Sequence, residues 1–197
     1  MLGGATEVSR GQNLTAAEIY TRELRIVCRM DKGRLRVSDL FNQADRSHVE
    51  AHDAIITSLQ DGKELARVDV CQVAVHTVVV VIPREAAGTA RSTTQAERQL
   101  VLVTKYRHAV TMHVPPFVVA GHIHLPSERR AEDSLLAIGA QFIPLTEVTL
   151  THYKSPNHRL ITAEAALVNR SCVDVQYFSP SPTVSKAESR LLIRRFE

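Results

Sequence analysis

Residues 73–82 read VAVHTVVVVI, the most apolar stretch of a 197-residue chain. Six of its ten positions are valine. β-Branched side chains lose rotamer freedom in a helix and pack well on a pleated surface, so the run predicts strand. It is interrupted by His76 and Thr77, and it falls far short of the roughly 20 apolar residues a membrane helix needs. No membrane span is expected.

Reading outward from this run, the neighbouring text is also strand-like. Arg67–Cys71 forms a further strand, and Asp61-Gly62 between Leu59 and Leu65 is a hairpin turn, because both residue types accept positive φ. Val49, Ala51, Asp53 and Ile55 alternate with His48, Glu50, His52 and Ala54, the pattern of a half-exposed strand. Val37–Phe41 allows one helical turn. Leu24–Met30 is a strand closed by Asp31-Lys32-Gly33. Thr15-Ala-Ala-Glu18 fits a capping box and predicts a short helical turn over Ala16–Tyr20, behind a Gly-rich, polar start.

Downstream, residues 83–96 read PREAAGTARSTTQA, a linker by composition. Strands are expected at Leu100–Thr104, Ala109–Val114, Phe117–Leu125, Phe142–Thr151, Leu160–Leu167 and Val173–Phe178. Ala131–Ile138 reads as a short helix ended by Gly139. Ser185-Lys-Ala-Glu188 opens an amphipathic C-terminal helix.

Composition narrows the functions. With 44% hydrophobic and 23% charged residues the chain is neither disordered nor fibrous. A net charge of +3 is too mild to announce nucleic acid or an anionic membrane, and with 5% aromatics and no Trp, stacking platforms for bases are scarce. The N-terminal text lacks the basic and apolar regions of a secretory signal. The three cysteines, Cys28, Cys71 and Cys172, are odd in number and sit in apolar runs, which suits a reduced, cytoplasmic setting.

The two halves repeat one order of elements at a nearly constant offset. Met30 matches Ile123 at 93, Val49 matches Ile143 at 94, and Val78 matches Val173 at 95. A short helix between the first and second strand recurs in both. About 60 residues per copy is marginal for an independent core, and short strands of that number curl to remove their edges. The expected fold is therefore mainly β: two tandem small β-barrels, loosely Sm-like or SH3-like, plus a C-terminal helix. The expected divisions are a flexible start with a short helix over 1–20, barrels over 21–84 and 98–179, a linker over 85–97, and the helix over 180–197.

GRLRVSDLFN in the first half, and GHIHLP, FIPLTEVTL and LVNRSCVDV in the second, resemble a bacterial domain family of unknown function. The resemblance implies a small-barrel fold and a bacterial source, and carries over no catalytic residues.

Several constellations could carry chemistry. His122 and His124 share one face of a strand, and His113 could meet them from the neighbouring strand, a ligand set suited to zinc or copper. Arg34, Arg36, Arg129, Arg130, Asn169 and Arg170 fall in loops, where they could contact phosphates of a nucleic acid. Leu191, Leu192 and Arg195 could dock a partner. No Gly-x-Ser-x-Gly and no phosphate-binding glycine loop occurs, so an enzyme is not expected and no cofactor is called for. The leading expectation is a protein-interaction or scaffold module that binds a protein partner or itself. An Sm-like RNA binder is the alternative.

Overall fold

The computed structural model describes residues 14–33, 35–84, 106–125, 139–153 and 160–178. Ten strands and one short helix follow in order: β1 (Leu14–Tyr20), β2 (Leu24–Asp31), α1 (Val37–Phe41), β3 (His48–Ser58), β4 (Glu64–Ala74), β5 (Val80–Arg84), β6 (Tyr106–Val114), β7 (Phe117–Leu125), β8 (Phe142–His152), β9 (Leu160–Asn169) and β10 (Val175–Phe178). All ten belong to one antiparallel sheet in the order β10-β6-β7-β8-β9-β5-β1-β2-β3-β4. The fold is mainly β. Its ladder does not close on itself among the described residues, so one open sheet stands where two closed barrels were expected.

Three local expectations are corrected. Residues 14–20 form strand β1 at the heart of the sheet, not a flexible segment with a helical turn. Glu18, read as a capping residue, is instead held by the side chains of Arg25 and Arg84, and this tertiary pairing overrides the local signal. The apolar run 73–82 is two strands, divided by a 3-10 turn at Val75–Thr77. The alternation in β3 breaks at Asp53, whose φ of 50° makes a bulge against β2, so Ala54 rather than Asp53 and Ile55 turns inward. The linker at 85–97, the strand at Leu100–Thr104, the helix at Ala131–Ile138 and the C-terminal helix lie outside the described residues.

The same wiring occurs twice. β5-β1-β2-β3-β4 and β10-β6-β7-β8-β9 have the same connectivity. Tyr20 pairs with Arg25 and Val80 just as His113 pairs with Val118 and Val175. His48 pairs with Ala74 as Phe142 pairs with Asn169. The hydrogen bonds repeat as well: Val75 N–H to Ser47 O (2.9 Å) and Arg170 N–H to Gln141 O (2.8 Å), then Val79 N–H to Tyr20 O (2.7 Å) and Asp174 N–H to His113 O (2.9 Å). Asp53 and Glu147, both with positive φ, mark the bulge in each half.

The halves meet where β9 pairs with β5, through Val80 opposite Val168 and Val81 opposite Leu167. Each half contributes five strands, an odd number, so in an antiparallel sheet equivalent strands run in opposite directions. One half is thereby turned over relative to the other. The cores obey this geometry. Along β5, Val81 joins a core built mainly by the first half, while Val80 and Ile82 join the core of the second. β9 divides likewise, Leu167 to the first core and Ala166 and Val168 to the second. The five residues Val78–Ile82 are fully buried, each contributing roughly 1.5–3 kcal/mol of apolar transfer. This is why the seam is valine on both faces.

Candidate functional site

Beyond residues 80 and 81 no further β5–β9 pairing occurs among the described residues, and a shallow cleft of about 490 Å³ lies beside the seam. Arg84, Glu147, Thr149, Thr162 and Glu164 supply its polar wall, and Val148 and Ala163 its apolar part. Arg84 is anchored from below. Its guanidinium meets Glu18 Oε1 at 2.9–3.0 Å, and Arg25 Nε meets Glu18 Oε2 at 2.9 Å. The Tyr20 hydroxyl donates to the same carboxylate at 2.6 Å. Burial alone would raise the Glu18 pKa. The hydrogen bonds from Arg25 and Tyr20 and the charges of Arg25 and Arg84 outweigh it, and the carboxyl is held below its ordinary value. Two guanidinium groups on one buried carboxylate fix β1, β2 and β5 together. The cleft offers hydroxyls, two carboxylates and one guanidinium, a hydrogen-bonding surface without an activated nucleophile among the described residues.

Glu147 also joins the outer face of the second half, where the Arg107 guanidinium bonds it. Arg107 lies 3.0 Å from His122 Nδ1, and His124 Nε2 lies 3.0 Å from Thr146 Oγ1. Burial and the Arg107 charge hold His122 below the usual imidazole range. His113 does not join this group. It pairs with Val118, four residues along β7 from His122, or roughly 13 Å at the rise of a strand. Its ring stacks near Tyr177, with centroids 6.1 Å apart. The expected three-imidazole metal site is thus not assembled, and no cluster of metal-ligating side chains occurs among the described residues.

The basic-loop reading also separates. Asn169 is fully buried: its Nδ2 donates to Val78 O at 2.7 Å, and its Oδ1 accepts from Ser171 N–H at 3.0 Å. It holds the seam and is closed to a nucleic acid. Arg36 starts α1, its backbone N–H bonded to the Asp39 carboxylate at 3.3 Å. Arg170 begins the 3-10 turn before β10. Arg34, Arg129, Arg130, Leu191, Leu192 and Arg195 lie outside the described residues.

The cysteines are free, and burial raises the pKa of each; Cys28, with Cys71 nearby, is pushed up to about 12. At neutral pH they are thiols, which are weak nucleophiles.

The sheet's ends are the feature that sequence reading left unplaced. Among the described residues β4 and β10 each pair on one side only. β4 carries exposed Leu65 and Val70, and β10 exposed Val175 (56%) and Tyr177 (50%). The chain matches no family model, no curated protein and no solved structure. Its function therefore rests on this geometry. No helix among the described residues is long and apolar enough to cross a membrane.

Proposed function

We propose that this protein is a protein-interaction module, a duplicated β domain whose working surfaces are the two ends of its sheet. One observation carries the reading. The eleven-residue β4 and the four-residue β10 are unpaired on their outer sides among the described residues, and both present large apolar side chains to solvent. Backbone amide and carbonyl groups on an edge seek a further ladder, and apolar side chains beside them supply the contact area. The repeated wiring supports a duplication: each half is one copy of a five-stranded unit, joined edge to edge. A cytoplasmic setting agrees with the three cysteines being free.

The test is a pair of edge-blocking variants, Val70→Pro on β4 and Tyr177→Lys on β10. Each should keep the wild-type circular dichroism spectrum and lose binding to a partner that survives nuclease treatment. Retained binding by both variants removes the edges from consideration. Binding abolished by nuclease or by raised salt favours the RNA reading instead.

A further inference from the structure

We infer that the partner of the sheet's ends is a second copy of this chain, with β10 of one copy adding to β4 of the next in the register of the internal seam. This rests on the interaction-module reading and specifies its occupant.

The argument begins with counterparts. In the repeated wiring β9 corresponds to β4, and β5 corresponds to β10. The internal seam joins β9 to β5. The two strands left at the ends of the sheet are therefore the counterparts of the two that already fit each other. A β4–β10 junction between copies would restate an interface the molecule forms within itself.

The side chains on the donor end agree. Val80 and Ile82 of β5 are fully buried because they plug the second core, together with Tyr20 and Val79. Their counterparts Val175 and Tyr177 lie on the same face of β10 and are half-exposed, Tyr177 beside the ring of His113. His113 and Asp174 stand where Tyr20 and Val79 stand. Val175, His113, Asp174 and Tyr153 line a shallow depression of about 320 Å³. Tyr153 is the counterpart of Leu59, which packs against the second core; the backbone bonds Leu59 N–H to Glu23 O and Tyr153 N–H to Pro116 O repeat.

The acceptor end agrees too. Leu150 and Ala166, in the half that receives the plug, are fully buried. Their counterparts Ile56 and Cys71, in the half that receives none, are only partly buried. The first core is thus less covered on the side where the second core is sealed by the seam. In the inferred junction Val175 faces Val73, and Gln176 faces Gln72. A junction between different surfaces continues head to tail instead of stopping at a dimer.

Two variants test the register, Gln72→Cys and Gln176→Cys, each in a Cys71→Ser background that leaves the introduced thiol exposed and the native Cys28 and Cys172 buried. Both sites are exposed, so folding is preserved. Mild oxidation of the mixture should give a cross-linked pair containing one of each chain, and neither variant alone should cross-link. Sedimentation of the unmodified chain should show mass rising with concentration through multiples of the single chain, a series that Tyr177→Lys abolishes. Self-cross-linking of Gln72→Cys would mean that two β4 strands meet, and overturns the inference. A wild-type chain that stays single at every concentration overturns it as well. If such a chain still engages a different protein through β4 or β10, the interaction-module reading stands and only the second copy falls.

Discussion

The side-chain amide of Asn42 forms a rung of ladder with the backbone of Phe142: Phe142 N–H donates to Asn42 Oδ1 at 2.8 Å, and Asn42 Nδ2 donates to Phe142 O at 3.0 Å. Asn42 closes α1 in the first half, and Phe142 opens β8 in the second. The same Nδ2 reaches Ser38 O at 2.9 Å, and the rings of Phe41 and Phe142 lie 5.1 Å apart. One side chain thus caps a helix and fastens it to the other half.

Asn42→Ala leaves three part-buried backbone groups without this partner. It should lower the unfolding free energy by about 2 kcal/mol, the scale of unsatisfied buried hydrogen-bonding groups. Asn42→Asp should cost a similar amount, since the donor is lost. Chemical denaturation measures both; a change under about 0.5 kcal/mol would equate the rung with an ordinary surface contact.

Acid should unfold the protein in part through Glu18. Its folded pKa lies below the ordinary value of 4.5. A depressed carboxyl contributes stability that is full above the unfolded value and lost as pH falls through the folded one. Melting temperature should therefore drop below about pH 4.5 in the wild type, in line with carboxylate linkage. Glu18→Gln should be less stable at neutral pH and show a shallower acid decline. Parallel declines would exclude the Glu18 linkage.

Gly121 sits opposite the bulge of β8, where an added Cβ would lie 3.1 Å from Thr146 O and 3.3 Å from Val148 Cγ2. A backbone carbonyl yields little, so Gly121→Ala should cost roughly 1–3 kcal/mol, as overpacking does. At Gly139 a Cβ meets nothing within 4 Å. Gly139→Ala is the control, and equal melting curves for the two variants would contradict the packing account.

Asp53 holds φ at 50° on an exposed bulge, with Arg29 3.8 Å away. An ion pair this exposed is worth little, whereas positive φ costs an L-residue about 1–2 kcal/mol. Thermal stability should fall in the order Gly, Asp, Val at this position, although valine is the best strand former of the three. A more stable Asp53→Val would show that the bulge is absent in solution.

Much of the secondary structure was legible because its causes are local. The turn at Asp61-Gly62, the single helical turn at Val37–Phe41 and the valine-rich strands follow from residues near one another, and Gly62 does adopt φ of 74°. The misreadings share a physical origin. Glu18 looks like a helix start until Arg84, 66 residues away, takes its carboxylate. The run 73–82 must break because β4 follows β3, whereas β5 lies between β1 and β9. A left-handed aspartate at position 53 leaves no mark on the alternation around it. The candidate surface was the least legible part. Whether a strand is an edge depends on every other strand, and no window of sequence holds that information.

The valines of β5 have one more consequence. Tyr20, Val80 and Ile82 belong to the first half by sequence, yet they finish the interior of the second. Neither half owns a complete inside. Expressed apart, the fragments would each lack what the other supplies, so a polypeptide that divides neatly on paper is indivisible in water.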